Sequence, residues 1–514
     1  MRTAKPSTLF AFCMWSLLIL RFGYRYGTGD QVELLPYTLY LHNPSLYPHD
    51  FFIKGLDASV PNERTIMATL LVPFVNHLEI TCFLLQLLST IFLVMGLEML
   101  ALRFIKNRYL AWLAIALAML PLNNYTLGDV ELYSECFQAS GLAVAIVVWG
   151  INLFLDGKYI WASILMTVAT FIHVLEGLDV MLVLSAIMLF SYLIKKTDLK
   201  TFLLFISIYG FTAGLFLLDV LIHKSGTVLT ACNPASPNEL FKIIFMFRLP
   251  HHFIFSTFPR FHMLVYFLFT LFALVYFAGH SSKTFEFILI GTIGMIIYAF
   301  AVDDFHSIFI GNFQFYKLSI WIKFLGVVAF VGLGEDFYLQ HLKLPETLKI
   351  ELPVLISGIA IAWLIIINFN SFLPYKVPFQ LFGMKEKDDM INICEQIKEK
   401  TPADAVFIQS FDNSELKFYA QRSSFVEFKA NVRHTCFVKD WYHRIQLVYG
   451  LSLSDALEGF NMQDKADETY YTESPWQFHN HSGFGITHML VKKDYKPPVG
   501  TLILSNNTYA VYKL

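Results

Sequence analysis

EITCFLLQLLSTIFLVMGLEMLAL, residues 79–102, is an apolar run long enough to cross the hydrocarbon core of a bilayer as one helix, which takes about 20 residues. Runs of the same kind occur before it at 8–20 and after it at 109–122, 136–155, 159–174, 178–194, 201–222, 260–278, 284–302, 307–333 and 350–369. Together they predict an α-helical polytopic membrane protein with about 11 transmembrane helices. Composition agrees: of 514 residues 56% are hydrophobic and only 15% charged, more apolar surface than a soluble globule could hide. A net charge of -2 gives no basic surface for a polyanion, so nucleic acid is not an expected partner. Six scattered cysteines cannot make a staple framework.

The first run follows Arg2 and Lys5 and is followed by Arg21, Tyr24 and Arg25 rather than by a small-residue cleavage site, so it reads as a retained first helix. Residues 23–64, rich in Gly, Pro, Asp and His, form the first outer loop. Residues 65–75 are apolar but too short to cross and would lie along the interface. Lys and Arg collect on alternate connections, at Arg103, Lys106 and Arg108, at Lys195, Lys196 and Lys200, and at Lys343 and Lys349. This pattern places the N-terminus in the cytoplasm and the C-terminus outside.

Residues 1–370 therefore form the membrane domain. From 371 to 514 charges become frequent and apolar runs shorten, as in a soluble extracytoplasmic α/β domain. There, 385–400 has helical spacing, and 405–408, 424–428, 487–491, 501–504 and 509–513 read as strands.

Unusual polar residues fall on the outer side, among them Glu135, His173, Glu176 and Asp179 at helix ends, where ionisable groups are costly and hence functional candidates. Asp30, between glycine turns just beyond the first helix, could be a general base or a metal ligand, or a turn Asp that caps its own backbone. Asp50 sits among aromatic residues in YPHDFF, residues 47–52, which would tune it toward catalysis. In RLPHHF, residues 248–253, His251 and His252 could hold a divalent metal or phosphate oxygens, with Arg248 as a fork on the same anion. Adjacent histidines point apart in an extended chain, so joint ligation needs a turn, and no cofactor or metal is fixed by spacing. Lys317 would hold a lipid phosphate or an ion pair with Asp303 or Asp304, and Lys323 would snorkel or meet a helix partner. No P-loop, GxSxG or dinucleotide fingerprint is present. Cys394 and Cys436 could pair outside the membrane or remain free thiols.

One N-terminal helix, an acidic outer loop, about ten further spans and an outer α/β domain resemble the GT-C superfamily of polyprenyl-phosphate-sugar-dependent glycosyltransferases. The strings GD at 29–30, YPHD at 47–50, RLPHH at 248–252, TPADA at 401–405, QRSSFVEFK at 421–429 and DWYHR at 440–444 resemble an uncharacterised GT-C-like family of bacterial membrane proteins. The resemblance implies a bacterial inner-membrane enzyme of the cell envelope. It would move a sugar from a lipid-linked polyprenyl phosphate carrier to an acceptor at the outer face, surrounded by membrane lipid. It carries the catalytic carboxylate onto Asp30, with Asp50 second, and the phosphate-contacting base onto Lys317. Where an acidic pair is common after the first helix, Gln31 here follows Asp30. A transporter or flippase without chemistry, or an envelope assembly protein, is the alternative reading of the same charged cluster.

Overall fold

The computed structural model describes residues 4–224, 234–341, 351, 353–360, 362, 388–411, 413–458, 462–472 and 485–514. Its contacts divide the chain into two compact units. The first takes Met1–Arg25, Cys82–Phe216 and His251–Phe379; the second takes Tyr26–Thr81, Leu217–Pro250 and Gln380–Leu514. The first outer loop and the stretch before Arg248 thus fold with the C-terminal segment. The sequence boundary at 371, which falls outside the described residues, had left both with the membrane domain.

The chain is a helical polytopic membrane protein. Among the described residues six helices are long and apolar enough to cross a bilayer, Thr65–Ala101, Val174–Leu193, Leu199–His223, Arg260–His280, Ser282–Asp304 and Ile308–Gln340. Four shorter apolar helices, Pro6–Phe22, Arg108–Met119, Ala139–Leu155 and Tyr159–Ile172, match the other runs. The run at 350–369 lies largely outside the described residues. Residues 65–75 are not a separate interfacial piece, because their helical turns lead directly into the helix Leu78–Ala101. The helix from Arg108 stops at Met119, short of Pro121, which has no backbone N–H to continue it.

Side chains such as Leu203, Phe211, Leu264, Leu271 and Val275 are more than half or nearly half exposed, as lipid-facing groups are. Where helices meet, small residues allow close approach: a Cβ on Gly177 would lie 2.3 Å from Thr170 Oγ1. Several buried acids are paired. Glu98 takes Trp112 Nε1 at 2.8 Å and lies 3.4 Å from Arg108, and Glu335 accepts the Lys106 and Asn107 backbone N–H groups.

In the second unit a five-stranded sheet has the order β2-β1-β3-β5-β4, with β1 Val406–Gln409, β2 Ser423–Ser424, β3 His488–Lys492, β4 Thr501–Ser505 and β5 Tyr509–Lys513. β1 runs parallel to β2 and β3; β5 runs antiparallel to β3 and β4. The Asp389–Lys400 helix buries Ile393, Cys394 and Ile397 against Phe407, Leu490 and Val511. The strand expected at 424–428 ends at Ser424, because the chain turns so that Glu427 accepts the Ser424 hydroxyl at 3.0 Å.

Candidate active site

The glycines around Asp30 are there for backbone reasons. Gly27 and Gly29 have φ of +76° and +58°, in the left-handed region that side chains rarely adopt. At Gly27 a Cβ would sit 2.5 Å from the Tyr419 hydroxyl, which donates to Tyr26 O at 2.6 Å. The Gly27 N–H donates to Gln31 Oε1 at 2.7 Å, so Gln31 ties the loop. Asp30 then stands at the N-cap of the helix Gln31–His42, exposed, and its carboxylate makes no cap hydrogen bond. The turn-capping alternative is corrected: Gln31 does that work and leaves the Asp30 carboxylate available.

One turn on, Glu33 is buried and bonded to Arg64, which also meets Glu63 at 3.1 Å. Burial works against the Arg64 charge, but Glu33 and Glu63 outweigh it and lift its pKa above the ordinary value.

Arg248 ends a helix opened by the Ser236–Glu239 capping box and widened to a π-helical turn over Lys242–Arg248. Phe245 and Phe247 anchor that turn, Phe247 packing edge-on to Phe428 and Trp441. The guanidinium lies over the Phe428 ring at 4.9 Å and donates from Nη2 to Lys429 O at 2.8 Å. Only 5% of Arg248 is exposed, and its Nε and Nη1 are buried with no hydrogen-bond partner among the described residues. Burial pulls its pKa down to about 10, with Glu33 and Asp30 holding it up and Arg433 and Arg64 pressing the other way. It therefore stays charged at neutral pH with two N–H directions unspent, an arrangement that calls for an anion.

Asp50 is corrected from catalytic to structural. It is fully buried at the N-cap of the helix Phe51–Asp57. Its Oδ1 accepts the Ile53 N–H at 2.9 Å and lies 3.2 Å from Lys417 Nζ, and its Oδ2 accepts the Ser424 N–H at 2.8 Å. Lys417 also meets Glu427 at 2.8 Å. Burial pulls Lys417 down, yet Asp50 and Glu427 more than offset it and hold it above its ordinary value; burial also lifts Glu427. Both oxygens of Asp50 are thus engaged within the protein.

In the membrane unit His251 and His252 share the short helical turn Pro250–Phe253, which brings their rings to 4.2 Å rather than apart. His252 Nδ1 lies 2.7 Å from Gly128 O. Lys317 is ion-paired at 2.7 Å, with Glu176 and not with Asp303, whose carboxylate accepts the Phe255 N–H. The expected phosphate ligand thus has a carboxylate partner already. Asp179, 1% exposed on the helix from Val174, has both oxygens buried without a partner among the described residues. Lys323 does not snorkel: fully buried, it donates to Leu122 O and Asn123 O, the carbonyls freed where the preceding helix stops. Cys394 is a free buried thiol and Cys436 is disulfide-bonded, so the two do not pair.

No group of three or more His, Cys, Asp or Glu is placed to hold a metal among the described residues. Beside Asp30 the other acid, Glu33, is taken by Arg64, and Arg248 adds positive charge. This donor set does not fit a divalent cation. Sequence reasoning missed Lys417, Glu427, Arg433 and His434. Glu427 lay inside the string at 421–429, but nothing local tells that a charged residue far along the chain is its partner.

Residues 388–448 match the model of a domain of unknown function, DUF6798. No curated protein matches the chain. Among solved structures the chain is similar to ArnT from Cupriavidus metallidurans bound to undecaprenyl phosphate, at 11% identity over 99% of this chain and 97% of that one, TM-score 0.48. It is also similar to the oligosaccharyltransferase of Archaeoglobus fulgidus. One such structure is tethered with an acceptor peptide containing the NVT sequon, at 11% identity over 95% of this chain and 68% of that one, TM-score 0.46. Another is a complex with Zn and sulfate, at 12% identity over the same 95% and 68%, TM-score 0.47.

Proposed function

We propose that the chain is a membrane glycosyltransferase that takes a sugar from a polyprenyl phosphate carrier and transfers it to an acceptor hydroxyl at the outer face of a bacterial inner membrane. The observation that carries this reading is Arg248: a buried cation with two unspent N–H groups, in the same electrostatic neighbourhood as the exposed carboxylate of Asp30. In the step the acceptor oxygen bonds to the anomeric carbon as the bond from that carbon to the carrier phosphate oxygen breaks. The leaving phosphate keeps the electron pair, and the acceptor proton passes to Asp30. Arg248 neutralises the charge that develops on the phosphate. The cation at Lys317, held by Glu176, is left out of the phosphate site. His251 and His252 belong to the first unit and stay a separate proposal as sugar or phosphate contacts, to be tested by substitution. The disulfide at Cys436 supports an oxidising compartment for the second unit, as the distribution of Lys and Arg does for its side of the membrane.

The test is product formation from labelled carrier sugars by the full chain in reconstituted membranes, beside a carrier-binding measurement. Asp30→Asn should remove product and keep carrier binding. A second reading, a transporter, is favoured by Asp179, an unpartnered carboxylate in an apolar helix beside the Lys317–Glu176 pair. Wild-type protein that forms no product with a broad panel of carriers and acceptors, while Asp179→Asn alters uptake, would replace the first reading with the second.

A further inference from the structure

Asn431 is 9% exposed, and its Oδ1 and Nδ2 are both buried with no hydrogen-bond partner among the described residues. A buried amide left in that state costs free energy, and few are kept without a reason. The backbone around it is fastened: Arg444 Nη1 donates to Phe425 O at 2.9 Å, Trp441 Nε1 donates to Glu427 O at 3.0 Å, and Val432 packs so near Gly55 that a Cβ there would lie 2.8 Å from its Cγ2. The amide is therefore held unpaired by an ordered segment. Two residues before it, Lys429 O accepts Arg248 Nη2 at 2.8 Å, and that spacing keeps the Asn431 Cα within about 7 Å of the Lys429 Cα. Two residues after it, Arg433 is an electrostatic neighbour of the Arg248 guanidinium. Arg248 is 5% exposed and has Nε and Nη1 without partners among the described residues, so two unsatisfied side chains, each more than nine-tenths buried, lie along one short stretch of the second unit.

The two ask for different chemistry. A guanidinium only donates and suits an anion, whereas a carboxamide donates from nitrogen and accepts at oxygen. An anionic oxygen would satisfy Nδ2 and be repelled by Oδ1; a hydroxyl, which both donates and accepts, suits the whole amide. We infer that Asn431 is a specificity-determining residue, holding a hydroxyl of the transferred sugar while Arg248 holds the phosphate joined to that sugar. This rests on the transferase reading of Asp30 and Arg248 and narrows the donor. The phosphate oxygen is bonded to the anomeric carbon, so the nearest hydroxyl is the one on the adjacent ring carbon, and the sugar must keep it free.

The experiment measures binding of four probes to the full chain in nanodiscs: a short-chain polyprenyl phosphate, the same carrier bearing glucose or mannose, which present that hydroxyl in its two configurations, and the carrier bearing the deoxy sugar common to both, which lacks it. Wild type should hold one of the two epimers about tenfold more tightly than the deoxy sugar, the size of one hydrogen bond. Asn431→Leu should lower that epimer to the deoxy level and leave the unglycosylated phosphate unchanged. Its thermal midpoint should stay the same or rise, because the amide it removes has no partner among the described residues. Asn431→Ala, which takes away the same two atoms without adding bulk, is measured beside it. The subsite is overturned if wild type binds both epimers no better than the deoxy carrier, if both variants keep the preference, or if all four probes weaken together as the midpoint falls. Absence of any glycosylated product while the Asn431 effect persists would instead remove the transferase reading and leave the sugar subsite standing.

Discussion

Two buried charge clusters of the second unit, Asp50–Lys417–Glu427 and Glu33–Arg64 with Arg248, both mix acids with bases and differ in what is left over. In the first, Lys417 is shared by two acids, Asp50 is saturated by two backbone N–H groups, and the three side chains are between 0% and 4% exposed. In the second, Arg64 is satisfied by Glu33 and Glu63, but Arg248 keeps two donors without partners, and Asp30 beside it is exposed. On the transferase reading, the closed cluster holds the fold together and the open one offers its donors to an anionic substrate. Burial of charge alone does not separate the two; the count of satisfied atoms does.

The comparison can be broken most decisively at Asp30. Asp30→Asn should lower turnover by about two to four orders of magnitude, with carrier binding nearly unchanged and stability within about 0.5 kcal/mol of wild type. A stability loss as large as that of a closed-cluster variant would put Asp30 on the structural side. Lys417→Met should destabilise by about 3–5 kcal/mol, because two buried carboxylates lose their cation, and denaturant unfolding in detergent measures it. Arg248→Met should do the opposite to stability, leaving the midpoint unchanged or raised, while carrier-phosphate affinity falls by about tenfold or more. If Arg248→Met unfolds the chain as Lys417→Met does, the two clusters are alike and the site proposal fails.

The smallest expected effect sharpens the contrast through pH. Glu131, between the helices Arg108–Met119 and Ala139–Leu155, is pushed up to about 7 by burial and then by Asp129, and it bonds the Asn123 amide and Ser134 rather than a cation. Between its ordinary pKa near 4.5 and about 7 the folded chain keeps a proton that the unfolded chain has released. Stability should therefore fall as pH rises through that window. Glu131→Gln should raise stability at pH 8 by about 1–3 kcal/mol, read as a higher thermal midpoint, and change little at pH 4. A midpoint that moves equally at both pH values would show that the carboxyl is not carrying the proton.

Most of the membrane architecture was legible because hydrophobic length is a local property: a run such as 79–102 announces its helix without reference to anything else. The glycine turn around Asp30 was legible for a related reason, since the flanking glycines and the step from apolar helix to polar loop are adjacent in the chain. What could not be read was partnership at a distance. Asp50 looks tunable among its aromatic neighbours, and only the arrival of Lys417 and the Ser424 N–H shows it to be spent. Lys317 looked like a phosphate ligand until Glu176 was found 2.7 Å away.

The Tyr419 hydroxyl that pins Tyr26 and crowds Gly27 comes from a residue 393 positions later in the chain. On a ribosome adding about 5–20 residues each second, the Asp30 loop waits on the order of half a minute for that pin. Until then the segment lacks that contact. The acid is thus withheld from its geometry until the chain is nearly finished, and a prematurely released fragment ending before Tyr419 would carry Asp30 without the fastening that aims it.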